Sequence, residues 1–82
     1  ARDRIRVVAI APGWVRTQMT IGSIDADLES GRTRYNAQAR IAEPAEVAAL
    51  AAWLCSEGAS YVTGCTIPID GGQMAEAPGP WT

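Results

Sequence analysis

Three stretches carry groups that could do chemistry. The first is Pro12-Gly13-Trp14-Val15-Arg16-Thr17, which follows an apolar run. Gly13 would let a flat ring approach the backbone. The peptide groups around Val15 could pair with an amide, and the Thr17 hydroxyl both donates and accepts. The second is Asp70-Gly71-Gly72, which would suit a metal or phosphate loop and suits a solvated turn better. The third is the pair of phenols, Tyr35 and Tyr61. A phenol working as a proton donor needs a nearby cation to lower its pKa. The chain has no Lys, so Tyr61 reads as a side chain packed at a turn. A Pro-Gly turn also ends many strands that bind nothing, so the first stretch alone leaves both readings open.

Composition excludes more than it selects. The absence of His and Lys removes imidazole bases, His metal ligands and lysine nucleophiles together. Cys55 and Cys65 are the two cysteines, too few for a zinc site or a disulfide framework. They read as small buried apolar side chains in a reduced, cytoplasmic protein. The formal net charge is -2, with seven Arg and nine acidic residues interspersed. No basic stripe favours nucleic acid as a partner. No apolar run approaches the roughly 20 residues of a membrane span.

These residues must be held by a small fold. A chain of 82 residues makes at most one domain, and one this short buries only about 60% of its unfolded surface. Residues 5–11 are apolar except Arg6. Such a run suggests a strand covered on both faces, as in a parallel sheet, rather than a half-exposed one. Residues 18–42 offer weak signals and suggest a partly helical excursion turned towards a cleft. Residues 44–56 predict a helix. Pro44 opens it, Glu46 charges its first turn, and Val47, Leu50, Ala51, Leu54 and Cys55 make one apolar face. Trp53 lies off that face as a second contact point, and Gly58 follows as a stop. Arg40 and Glu43 read as ion-pair or helix-start charges. Residues 65–69 predict a second strand, and Pro68 places it at a sheet edge. Residues 73–82 predict a tail without regular structure. Two parallel strands need the long crossover between them. Two strands cannot cover both faces of the first, and the chain begins without Met. Both features suggest a portion of a longer protein.

The carboxyl ends of parallel strands are where open α/β sheets place ligands, and 12–17 occupies such a position. Here the residues resemble a known family. Residues 5–17 are similar to the sixth strand and Pro-Gly loop of a short-chain dehydrogenase/reductase. Arg40-Ile41-Ala42-Glu43-Pro44-Ala45-Glu46-Val47-Ala48 resembles the start of that family's last long helix. Ser60-Tyr61-Val62-Thr63-Gly64 through Ile69-Asp70-Gly71-Gly72 resembles its seventh strand with the flanking turns. Three matches in register cover almost everything from Arg4 to Gly72.

The resemblance implies the C-terminal part of a Rossmann-type, doubly wound α/β sheet in an oxidoreductase that uses NAD or NADP. It implies that Pro12, Gly13, Val15 and Thr17 hold the nicotinamide end, through the backbone of Val15 and the hydroxyl of Thr17. Residues 18–42 become the substrate loop, with Trp14 and Met19 on the side of a small carbonyl or alcohol substrate. The helix 44–56 and edge strand 65–69 become a surface for a homo-oligomer. The catalytic Tyr-x-x-x-Lys has no counterpart: Ala39 stands four residues after Tyr35, and Cys65 four after Tyr61. No serine here inherits a catalytic role, and the glycine-rich fingerprint is missing. The chain alone is therefore expected to be inactive. Its alternative role is a non-catalytic interaction module derived from the same family.

Overall fold

The computed structural model describes residues 1–18 and 36–75. Their frame is a parallel pair of strands, β1 (Val8–Pro12) and β2 (Cys65–Ile69), joined by a crossover that contains helix α1 (Pro44–Leu54). The register runs from Val8 opposite Cys65 to Pro12 opposite Ile69.

The first strand starts later than 5–11 and takes in Pro12. Ile5 and Val7 are 63% and 71% exposed, and Ala9 and Ala11 are exposed as well, so this strand is not covered on both faces by the described residues. In β2 the expected position of Pro68 has a direct physical basis. Gly13 N–H donates to the Ile69 carbonyl at 3.0 Å. Peptide groups alternate along a strand, so those of Ile67 and Ile69 face β1 while those of Thr66 and Pro68 face the other way. Pro68 therefore leaves the ladder intact and removes a donor from the open edge.

Helix α1 begins where the chain can satisfy its first turn. Pro44 is in the first position, where its missing N–H costs nothing. The Glu43 N–H donates to Glu46 Oε2 at 2.7 Å, the side chain of the third helical residue reaching back to the cap. The helix ends at Leu54, two residues short of 56, with Cys55 as its cap. Ser56 has extended backbone, and its hydroxyl donates to the Trp53 carbonyl at 2.6 Å. Gly58 is thus not the stop; it belongs to a 3-10 turn, Glu57–Ala59.

The far end of α1 is also held from outside. Arg6, just before β1, donates from Nη2 to the Leu54 carbonyl at 2.6 Å and from Nη1 to the Val62 carbonyl at 3.1 Å. A cation is favourable at the negative end of a helix, and here it bonds the final carbonyl directly.

The apolar interior is small: Ile41, Leu54 and Ala59 are buried among the described residues. Val47, Leu50 and Ala51 are half-buried, so the expected apolar face of α1 is only partly covered. Cys55 and Cys65 are both exposed free thiols, not buried apolar residues. Tyr61, expected as a packed side chain, is 100% exposed among the described residues, and Trp53 is 47% exposed. Gln73–Ala75, expected to be irregular, forms a second 3-10 turn. No helix among the described residues is long and apolar enough to cross a membrane.

Candidate functional site at the carboxyl ends of the strands

Three segments meet where β1 and β2 end: 13–17 after β1, 36–42 before α1, and 70–74 after β2. The first contact is between Gly13 and Asp70. A Cβ on Gly13 would lie 2.9 Å from Asp70 Cβ and 3.0 Å from Asp70 Cα. Gly13 is thus required by the backbone of the neighbouring strand end, a constraint separate from any approaching ring. Asp70 is not a bare solvated turn residue. Its Oδ1 accepts from Gly72 N–H and its Oδ2 from Met74 N–H, each at 3.0 Å, closing the turn that leaves β2.

The second contact orients the loop after β1. Val15 and Ala42 form an isolated parallel bridge. Ala42 N–H donates to the Trp14 carbonyl at 3.0 Å, and Arg16 N–H donates to the Ala42 carbonyl at 2.8 Å. In such a bridge the partner's neighbours make the bonds. The N–H and C=O of Val15 itself are therefore turned away from Ala42.

The third contact is a polar bracket. Asn36 is 3% exposed. Its Nδ2 donates to the Arg40 carbonyl at 2.8 Å, and its Oδ1 accepts from Arg40 N–H at 3.4 Å. The loop between them is tight enough to put Ala39 at φ 54. Gln38 N–H donates to the Gly71 carbonyl at 3.1 Å. Gly71 has φ +64, and a Cβ there would stand 2.8 Å from Asn36 Cγ. Gly72 has φ +90, and its Cβ would meet that of Ala37 at 2.9 Å. The two glycines serve both a left-handed turn and close packing of the 36–40 loop upon it.

Among the described residues, two ion pairs surround this junction. Arg40 Nη2 bonds Glu46 Oε1 at 2.7 Å, and Arg40 Nη1 bonds Glu46 Oε2 at 3.0 Å, a two-pronged pairing. Arg16 Nε bonds Glu43 Oε1 at 2.8 Å. The hydrogen bonds from Arg40 and from the Glu43 backbone hold the Glu46 carboxyl down at about 2. The same carboxylate raises the pKa of Arg40. A cavity of about 160 Å³ lies among Trp14, Asn36, Arg40, Glu46 and Asp70. A broader one of about 440 Å³ opens beside Pro12 and Gly13, with Pro68 and Met74 on its wall.

Of the residues singled out from sequence, Pro12 is the last residue of β1 rather than part of the loop. Gly13, Trp14, Val15 and Thr17 follow it in one continuous segment, with Trp14 40% exposed and Thr17 exposed. Met19 lies outside the described residues, as does most of the partly helical excursion expected over 18–42; its described part, 36–42, is turn and bridge rather than helix. Tyr61 and both cysteines are not part of this junction. Asn36 was missed. Its only signal was a polar residue four positions before Arg40, which does not distinguish a buried bracket from a solvated loop.

The family model described as Enoyl-(Acyl carrier protein) reductase matches residues 1–74. An A-factor type gamma-butyrolactone 1'-reductase (1S-forming) from Streptomyces virginiae is 51% identical over 70 residues, covering 83% of this chain and 27% of that protein. The short chain dehydrogenase/reductase astE of Aspergillus oryzae is 44% identical over 77 residues, covering 87% of this chain and 28% of that protein. Among solved structures, the angucycline C-6 ketoreductase LanV with bound NADP superposes with a TM-score of 0.76 at 27% identity, covering 92% of this chain and 29% of that one. The chain thus spans less than a third of the length of each.

Proposed function

The chain belongs to the short-chain dehydrogenase/reductase family, and from that premise we propose that it forms the nicotinamide-side wall of the site in an NAD(P)-dependent oxidoreductase. The observation that carries this reading is the orientation of Val15. Its bridge to Ala42 turns one N–H and one C=O in the opposite direction. A donor and an acceptor on one residue are the complement of a primary carboxamide. Thr17, an exposed residue with a hydroxyl, follows two residues later. These residues fit the nicotinamide end of the cofactor.

When bound, the nicotinamide supplies or accepts the hydride exchanged with a carbonyl or alcohol carbon. The work of this chain is to hold and orient. Pro12 and Gly13 bring the backbone to the end of the sheet, Val15 offers its peptide groups, and Thr17 offers a hydroxyl. Trp14, and Met19 by its place in the sequence alone, are assigned to the substrate. Displacement of reacting atoms by about 1 Å can cost roughly a hundredfold in rate, so orientation alone is a substantial contribution. The proton-transfer residues belong to sequence outside this chain, because no Tyr-x-x-x-Lys occurs in it. The 82 residues alone are inactive on this reading, and the full enzyme works in the cytoplasm.

A second reading, association with another copy, has its own observation. Trp53, on α1, is large and 47% exposed. Helix α1 and strand β2 are the surfaces proposed for a homo-oligomer. Pro68 on the open edge makes contact through side chains the better mode there than strand addition.

The test is a segment exchange. This chain replaces the matching segment of the S. virginiae reductase, and turnover is assayed with NADH and NADPH. A folded hybrid that oxidises either supports the site reading. A folded hybrid that binds neither sinks it. Co-migration of the isolated chain with an intact relative tests the association reading separately, and no co-migration counts against it.

A further inference from the structure

We propose that Asn36 is a positioning residue for the Val15 peptide, an inference that rests on the nicotinamide-side reading of residues 12–17. The chain of contacts is continuous. The Asn36 amide closes the loop to Arg40 with bonds of 2.8 and 3.4 Å to one residue's carbonyl and N–H. That closure delivers Ile41 and Ala42 alongside Trp14, Val15 and Arg16, where Ala42 makes both bonds of the bridge. The other side of the Asn36 side chain is packed on Gly71, so tightly that a Cβ there would be 2.8 Å from Asn36 Cγ. The exit turn of β2 therefore fixes the height of the 36–42 segment, which in turn fixes the plane of the Val15 peptide.

A second tie, Gly13 N–H to the Ile69 carbonyl at 3.0 Å, sets where the loop leaves the sheet but not how Val15 is rotated. Asn36 acts on that rotation through the placement of Ala42, alongside the Arg16–Glu43 pair that also ties the two segments. A buried amide that bonds both groups of one residue is a demanding device, because a half-satisfied polar group at 3% exposure is costly. Its chemistry is also specific. An Asp side chain keeps the acceptor for Arg40 N–H and places an oxygen against the Arg40 carbonyl, so it cannot substitute.

The consequence is selective for one end of the cofactor. On the nicotinamide-side reading Val15 would hold the carboxamide, so disturbing Asn36 should weaken binding of the whole dinucleotide and leave the ADP-ribose part alone. The experiment uses the full-length enzyme that carries this chain. The variants are Asn36→Ala, Asn36→Asp, Gly71→Ala and Gly64→Ala. Gly64 is the control: it has φ +71, like Gly71, but a Cβ there meets nothing within 4 Å. Affinities for the reduced dinucleotide and for the matching ADP-ribose are measured by titration, with a thermal melt of each variant.

The expected result is a loss of about tenfold in dinucleotide affinity for both Asn36 variants and for Gly71→Ala, of the size of one misplaced hydrogen-bonding contact. ADP-ribose affinity should stay within about twofold, and Gly64→Ala should lower the melt without touching either affinity. Parallel losses for both ligands, or a Gly64→Ala that behaves like Gly71→Ala, would show a merely structural Asn36 and overturn the proposal. So would failure of all three bracket variants to fold. Failure of the underlying reading is distinguishable, because the unaltered enzyme would then bind neither dinucleotide.

Discussion

Arg6 reaches across from the start of β1 to the end of α1, and its Nη2 donates to the Leu54 carbonyl at 2.6 Å. The helix has no basic residue in its own last turn. Sequence-distant Arg6 takes that place, and its second nitrogen holds the Val62 carbonyl just before β2. One guanidinium thus ties the three elements of the crossover together at the end remote from the site.

Replacing Arg6 by Met should therefore destabilise the fold by about 1–2 kcal/mol, the range for charge-assisted bonds that remain partly solvated. Arg6→Lys should recover only part of the loss, because an ammonium cannot span two carbonyls as the planar fork does. Chemical denaturation at neutral pH measures both. Equal stability of Arg6→Met and the parent would mean that solvent replaces these bonds without cost.

The Arg40–Glu46 pair gives a pH dependence with a defined sign. The folded carboxyl sits at about 2 against an ordinary value of 4.5. A depressed folded pKa stabilises above the unfolded value and loses that contribution as pH falls towards the folded one. Stability should thus be flat above pH 4.5 from this source and decline between there and about pH 2. Both side chains are substantially exposed, at 52% for Arg40 and 40% for Glu46, so the decline should be modest and reduced by salt. Melts across this range with and without Glu46→Gln isolate it; the same slope in both proteins would rule Glu46 out.

Gly13→Ala should shift the loop rather than be absorbed. The nearest atoms to the new Cβ, at 2.9 and 3.0 Å, belong to Asp70 Cβ and its backbone Cα, not to a flexible side-chain end. A loss of about 1–3 kcal/mol is expected from such overpacking. On the proposed reading, dinucleotide affinity should fall along with stability. A fully stable Gly13→Ala would show that the two strand ends can separate freely.

Thr17 separates hydroxyl chemistry from packing. Thr17 is an exposed residue, and on the proposed reading Thr17→Val should raise the cofactor KM several-fold in the full-length enzyme, by more than any accompanying loss of stability accounts for. Thr17→Ser should restore it. If Thr17→Val and the parent have the same KM, the hydroxyl has no part in binding.

Much of the frame was legible because it depends on local signals. Pro44 and Glu46 announce a helix start by what they lack and carry, and Pro68 announces an edge by its missing N–H. The Pro12-Gly13 break marks the end of an apolar run. The illegible parts were those set by distant partners. Arg6 broke an apolar pattern, and nothing nearby indicated that it would bond carbonyls at 54 and 62. Asn36 and Gly71 are separated by 35 positions, and only their packing shows that Gly71 must be a glycine for Asn36. Cys55 lay on the apolar face by periodicity yet is exposed, because the described residues cover that face only in part. Of the site, the segment 12–17 could be found from its position after a strand. The bracket that orients it could not.

Pro68 supplies the last prediction. By strand alternation its peptide faces away from β1, so Pro68→Thr adds an N–H to the open edge and leaves the β1–β2 ladder unchanged. The neighbouring outward residue, Thr66, is β-branched, so the variant edge would combine strand-forming side chains with newly available pairing groups. Natural sheets use proline on edges to prevent such pairing. The variant should keep the parent's melting temperature to within a few degrees and form larger species with increasing concentration, read by sedimentation velocity. A loss of stability without larger species would mean that Pro68 acts through its ring packing, beside Met74 in the wider cavity, rather than through the missing donor.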